Sequence, residues 1–343
     1  MLKIILAALI GAGLLAGCGS RSIATAGLSS GTQASNTTSS GSSLASNYST
    51  VVWEDDFQTD PSGAPSSTYW AAETGNGAEY GNSGWGNNEA EYYLPGNATV
   101  SSGALLLHGH ADASVIGHNC GTTTINNCLF SSAKITSLKT VDLSKPGFLE
   151  VEADLPTGVG SWPAIWLLPG TSPGAAFPPS QSVLSAQPLW PIGGEIDMAE
   201  WLGTYFAGQD SLVQSTLHLP SGTPSPAYTD SYQYQKATLA SPLSGNYHLY
   251  QLAWTSGSIE FAIDNQPVMT CTRSSMSCTP VAAGVAPYPA SAIWPYGNTY
   301  SSYYLIMNLA IGGNLGAPHQ DNTQVPSNYD QTMRVAYVRY MTP

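Results

Sequence analysis

From Val51 to Pro343 the chain is written in short runs that alternate apolar and polar side chains and then stop at clusters of Gly, Pro, Asn or Ser. Ala104-Leu105-Leu106-Leu107-His108, the run from Phe148 to Leu155, the run from Ile259 to Asp264 and the run from Arg334 to Tyr340 are examples, and Asp264-Asn265 supplies one of the turns. A period of two places alternate side chains on opposite faces of a strand, whereas a helix needs apolar residues three and four apart. No stretch sustains the helical spacing, and no repeat of fixed period occurs. Many short strands over about 290 residues predict an all-β protein, a single large antiparallel sandwich spanning 51–343. Composition agrees: 35 Gly, 24 Pro and 19 Tyr suit turns and strands. Only 9% of residues are charged, and 22 Asp+Glu against nine Lys+Arg leave a formal charge of -13. A polyphosphate partner needs clustered cations, so nucleic acid is excluded as the main partner.

The beginning of the chain has another character. Lys3 precedes an apolar run from Ile4 to Gly17, shorter than the roughly 20 residues that cross a bilayer. It ends Leu15-Ala16-Gly17-Cys18, which resembles the processing site of bacterial lipoproteins. We therefore expect a signal peptide at 1–17, lipidation of Cys18, and a membrane anchor for an exported protein at the cell surface or outer membrane. Residues 18–50 are rich in Ser, Thr, Gly, Ala and Asn, with Arg21 the only charge before Val51. Such a segment buries too little apolar area to offset chain entropy and reads as a flexible tether. Four further cysteines form two local pairs. In an exported chain Cys120–Cys128 and Cys271–Cys278 are the expected disulfides, since no His or second Cys pair stands nearby at zinc spacing.

The chemistry is concentrated in Trp190-Pro191-Ile192-Gly193-Gly194-Glu195-Ile196-Asp197-Met198-Ala199-Glu200. Three carboxylates interleaved with apolar residues, in a chain otherwise poor in acids, are not a solvated charge run. On a regular strand Glu195 and Asp197 share a face and Glu200 points away, but one bulge between Asp197 and Glu200 returns it to that face. Two close carboxylates suit a retaining glycosidase, one attacking the anomeric carbon and the other protonating the leaving oxygen. Asp197 between them is expected to hold Glu195 ionised, while mutual repulsion raises Glu200. An acidic edge strand or a calcium site is the alternative use of such a triplet.

The Glu-Ile-Asp-x-x-Glu arrangement resembles the active-site strand of glycoside hydrolase family 16 in its laminarinase-like form. Val52-Trp53-Glu54-Asp55-Asp56-Phe57, Gly84 to Tyr93, Gly147 to Glu150, Trp162-Pro163-Ala164-Ile165-Trp166, Tyr304 to Asn314 and Tyr337-Val338-Arg339 resemble other blocks of the family, in family order. The resemblance implies a β-jelly-roll sandwich of two antiparallel sheets with a concave substrate cleft. It implies Glu195 as nucleophile, Glu200 as acid/base and Asp197 as the assisting carboxylate. It also implies Trp190 as a sugar platform and His218 as a cleft residue, with Asn88 a contact on the non-reducing side. Lys134 stands where Arg is common, for a looser sugar contact. Trp162 reads equally as core or cleft, Trp166 reads as core, and Asn308 lines the cleft or caps a buried network.

The sequence departs from the family in two places. A convex-face calcium ion is implied, yet Ala336 stands where the family often has Asp and removes a hard oxygen ligand. The stretch from Gly170 to Gln187 is longer than the usual connection and is expected to wall one end of the cleft. No organic cofactor and no catalytic metal are implied. The expected function is a monomeric endo-β-1,3-glucanase acting by double displacement. The alternatives are the same machinery on another β-glucan or a galactan, or a non-catalytic glucan-binding lipoprotein.

Overall fold

A computed structural model describes residues 44–59, 63–78, 82–120, 127–170, 190–223 and 228–343. The signal peptide, Cys18, the tether up to residue 43 and the 171–187 part of the long loop lie outside the described residues. Among the described residues the chain forms two stacked sheets with only short helical turns. One sheet has eleven strands, the other seven, and the pairings are antiparallel except that Glu91–Tyr93 runs parallel to Phe130–Ser132. This is the all-β sandwich expected from the alternation, in the jelly-roll form that the resemblance implies.

The core lies between the sheets. Leu105, Leu107, Leu149, Val151, Leu252 and Phe261 of the larger sheet meet Ile135, Ile165, Leu167, Ile196, Leu217 and Leu305 of the smaller. These are alternate positions of their strands, as a two-layer core requires. Buried polar contacts also cross between the layers, as at Asp55. Asp55, on Thr50–Asp55 of the larger sheet, accepts the indole N–H of Trp70 at 2.8 Å and the Phe57 N–H at 3.0 Å. Trp70 opens the Trp70–Ala72 strand of the smaller sheet.

The packed chain begins before Val51. Leu44, Ala45 and Tyr48, which composition assigns to the tether, pack on Phe148, Ala253 and Met341, with the Tyr48 and Phe148 rings 5.3 Å apart. Both expected disulfides are formed, Cys120–Cys128 and Cys271–Cys278. The second joins directly paired positions of Gln266–Thr272 and Ser277–Thr279 at the sheet edge.

The seven-stranded sheet carries the site. Its order is Thr229–Thr238, Leu212–Ser221, Glu195–Glu200, Ser161–Pro169, Ser302–Ile311, Lys134–Asp142 and Trp70–Ala72. The Glu195–Glu200 strand therefore sits third from one edge. Ala336, on Asp330–Thr342 of the opposite sheet, brings no side-chain oxygen to the place where the resemblance implies a calcium ligand. Removing the acceptor in Asp55→Ala leaves a buried indole N–H unsatisfied, at a cost of about 1–3 kcal/mol. Chemical denaturation should show that loss, with turnover per folded molecule retained.

Candidate active site

Register, rather than loop geometry, brings the three carboxylates together. Against Leu212–Ser221, Glu195 pairs with His218 and Asp197 with Thr216, but Glu200 pairs with Gln214, a shift between Asp197 and Glu200. Against Ser161–Pro169 the same shift falls between Asp197 and Ala199. Met198 and Ala199 both turn into the core, so the bulge absorbs one residue and Glu200 returns to the outward face. The spacing in the sequence requires this, and the structure provides it.

The turn before the strand explains Gly193-Gly194. Gly194 has φ 69°, in the left-handed region, and a Cβ there would meet the Tyr296 hydroxyl at 2.5 Å and the His218 carbonyl at 2.9 Å. Tyr296 needs that space. Its hydroxyl accepts the Glu195 N–H at 3.1 Å and donates to the His218 carbonyl, locking the two strands at the level of Glu195.

Each carboxyl has its own partner. The Trp190 Nε1 donates to Glu195 Oε2 at 2.6 Å, and Trp162 Nε1 donates to Glu200 Oε1 at 2.9 Å. His218 Nε2 lies 3.0 Å from Asp197 Oδ2, and its Nδ1 lies 3.0 Å from Asp230 Oδ2. Burial alone would strip the proton from His218, but hydrogen bonds to Asp197 and Asp230 outweigh it and hold the ring well above the usual histidine range. An imidazolium thus stands between two carboxylates. Glu195, Asp197 and His218 bring their polar atoms within 4.8 Å of one another.

The carboxyls titrate far from their ordinary values. Burial, then repulsion from Asp197, pushes Glu195 up to about 8. Burial, then repulsion from Glu200, pushes Asp197 up to about 6. Burial also raises Glu200 to about 7, against the lowering effect of the Trp162 and His218 contacts. This corrects the expectation that Glu195 is held low. Its hydrogen bonds are real, but removal from water outweighs them, and Glu195 and Asp197 titrate as one hydrogen-bonded pair.

The other expected residues fall on the same face, in different roles. Trp190 is 52% exposed and free to present an indole face. Trp162 is buried and holds Glu200, so it offers no ring face to a sugar. Lys134 is buried as well, its ammonium 4.0 Å from the Trp85 ring centroid and 5.4 Å from that of Trp166. A cation held between indoles replaces the looser sugar contact expected of it. Trp166, read as core, is half-buried on the outward face, where it pairs with Asp197 and donates to Asn308 Oδ1 at 2.7 Å. Asn308 caps a buried network, passing from Trp166 to the Tyr93 hydroxyl at 3.1 Å and on to Glu89. Asn88, at φ 58°, donates to Asn314 Oδ1 at 2.8 Å on the rim of this wing.

Sequence reasoning misses Asp230, Tyr296 and the pair Glu89 and Glu91. Asp230 becomes visible only when the hairpin register sets Pro220 opposite it, beside His218. Glu91 is fully buried, accepts the Ile311 N–H at 2.8 Å and faces Glu89, and burial followed by repulsion from Glu89 raises it well above the carboxylate range. Burial raises Glu89 as well, so both buried glutamates hold a proton more readily than free ones.

Paired acid and nucleophile chemistry passes through the form with Glu195 ionised and Glu200 protonated, and with Glu195 at about 8 and Glu200 at about 7 that form is the minor one of the two singly protonated states. Asp197→Asn removes a negative neighbour from both glutamates, so both lose their protons more readily. Both limbs of the kcat/KM profile should then move to lower pH, by up to about one unit, while kcat drops. Profiles of the two proteins check this, and unmoved limbs would exclude Asp197 from tuning the pair.

Comparison with known proteins agrees with the geometry. The chain is 26% identical over 299 residues to a β-glucanase of Rhodothermus marinus, covering 84% of each chain. It is 28% identical over 308 residues to glucan endo-1,3-β-glucosidase A1 of Niallia circulans, covering 84% of this chain and 37% of that protein. The crystal structure of an endo-β-1,3-glucanase from Pyrococcus furiosus superimposes with a TM-score of 0.61 at 26% identity, covering 85% of this chain and 94% of that one. The family model for glycosyl hydrolases family 16 matches residues 111–302, a segment that holds the bulged strand, His218 and Asp230. With more than half of its length matched, and with the carboxylates in place, the chain belongs to glycosyl hydrolases family 16 and is a glycoside hydrolase.

Proposed function

We propose that the protein is a retaining endo-β-1,3-glucanase. The observation that carries the reading is the bulged strand, which puts Glu195, Asp197 and Glu200 on one outward face and gives each a separate hydrogen-bond partner. In the first step the Glu195 carboxylate attacks the anomeric carbon, the glycosidic C–O bond breaks, and Glu200 gives its proton to the leaving oxygen. In the second step Glu200 takes a proton from water, whose oxygen attacks the same carbon and releases Glu195. The Trp190 N–H orients the Glu195 oxygen that it holds, and the Trp162 N–H fixes Glu200. His218, shared by Asp197 and Asp230, supplies the positive charge that lets Asp197 ionise beside Glu195.

Two things support a neutral β-1,3-glucan. The relatives named above carry glucanase names, and the wing beside the reaction centre has one cation, Lys134, already committed to two indoles. A sulfated galactan wants available cations there. New reducing ends from laminarin should appear with the natural protein, and no turnover on any β-glucan would favour a binding-only role. Glu195→Gln should lower turnover by several orders of magnitude with the fold intact. Azide added to Glu195→Ala with an activated aryl glycoside should yield an α-configured glycosyl azide, whereas a β product would reverse the roles of the two glutamates.

We further infer that the enzyme is exported and held at the membrane through lipid on Cys18, as Leu15-Ala16-Gly17-Cys18 and the following Ser- and Thr-rich segment suggest. Cys18→Ser should move the protein from the detergent phase to the aqueous phase without changing its specific activity. Retention of that variant on salt-washed membranes would exclude this anchor.

A further inference from the structure

The outer face of the eleven-stranded sheet, turned away from the catalytic strand, carries two histidines side by side. His108 and His110 are alternate positions of Ala104–Ala111. Leu105 and Leu107 of that strand turn into the core, and a Cβ on Gly109 would meet the Leu309 and Ile311 side chains at 3.1 Å, so both imidazoles point outward. Their rings stack with centroids 4.4 Å apart and an interplanar angle of 13°. Across the strand pair Asp330 stands opposite His110, and directly opposed residues share a face. His108 Nε2 reaches Asp330 Oδ1 at 2.9 Å. Asp112, just past the end of the strand, sets its Oδ2 3.9 Å from His110 Nε2.

His110 is held by no hydrogen bond. Its Nδ1 is buried and finds no partner among the described residues. Its Nε2, at 3.9 Å from Asp112, is beyond hydrogen-bond length. A buried polar nitrogen left unpaired in a folded protein calls for a physical reason, and a bound ion is one such reason. Rotation of an imidazole about its Cβ–Cγ bond has a broad profile, so this ring can turn to aim a nitrogen at a shared ligand. The His108 and Asp330 side chains are 39% and 74% exposed, so dissolved ions reach the pair. A formal charge of -13 on the whole chain favours the approach of cations.

We propose that His108, His110 and Asp330 bind one divalent transition-metal ion of the zinc class, which clamps the Asp330–Thr342 strand to Ala104–Ala111. Two imidazoles and a carboxylate are a donor set that such ions take, whereas calcium and magnesium ask for oxygen throughout. Ligand atoms about 2.1 Å from a tetrahedral ion lie roughly 3.4 Å from one another. The His108–Asp330 pair at 2.9 Å and the ring pair at 4.4 Å stand near that spacing, and a turn of His110 completes the set. Water takes the fourth position. Asp330 as ligand and Asp112 as neighbour offset the two charges of the ion. The catalytic carboxylates lie on the opposite face of the sandwich, so the ion acts on the strand pair and takes no part in the reaction.

Calorimetric titration of zinc into the untagged full chain carrying Cys18→Ser, which removes the one cysteine outside the two disulfides, tests the site. One ion should bind per chain, with affinity falling about tenfold or more in His108→Gln and in His110→Gln, and less steeply in Asp330→Asn. Excess zinc should raise the melting temperature of the parent and leave that of the double variant His108→Gln/His110→Gln unmoved. Circular dichroism of each variant without metal checks that the fold is kept. Copper(II) in place of zinc should show superhyperfine coupling to two imidazole nitrogens in the parent and to one in His110→Gln. No binding by the parent at millimolar zinc would overturn the inference. So would zinc binding undiminished in the double variant, which would place the ion on another cluster, such as Glu195, Asp197 and His218.

Discussion

Three carboxyl groups on one short strand face can leave water together only if their charge is shared out, and the rest of the site is arranged around that constraint. Burial is the largest influence on Glu195, Asp197 and Glu200 alike, and it favours protons on all three. His218 answers with a positive charge. It keeps that charge only because Asp197 and Asp230 grip both ring nitrogens, which in turn demands that the Leu212–Ser221 and Thr229–Thr238 strands hold their register. Tyr296 ties the Glu195 and His218 backbones together, which holds the Glu195–Glu200 strand against Leu212–Ser221. A chain of neutral donors finishes the job: indole N–H groups reach Glu195 and Glu200 without adding charge.

The same logic operates behind the wing of the site. Glu89 and Glu91 are both buried and both raised, and Asn87, Tyr93 and the Ile311 backbone supply their donors. Lys134 helps Glu89 electrostatically from its seat between the indoles.

The strands, the two-layer core, the paired cysteines and the bulge were legible because each has a local signature: a period of two, close cysteine spacing, or a carboxylate one residue out of phase. The partners of those residues were not. Asp230 lies twelve positions beyond His218 across a hairpin, and only the register of that hairpin reveals the contact. Trp162 and Trp166 occupy alternate positions of one strand and share an outward face, yet one is sealed beneath Glu200 and the other half-covered beside Asn308. Burial of a tryptophan depends on what is laid across it, and no single-strand pattern records that. The low value expected for Glu195 failed for a similar reason, since neighbours in sequence show the hydrogen bonds but not the loss of solvent.

Lys134 carries a consequence of its own. A lysine on a flexible stem at the mouth of a cleft would attract any polyanion and would feel every change of ionic strength. Here the side chain is largely buried and its ammonium lies over the Trp85 and Trp166 rings. An uncharged glycan that settles on this face displaces few ions, so its hold depends on shape and ring contact. Capture of a neutral ligand on this face should therefore change little with ionic strength.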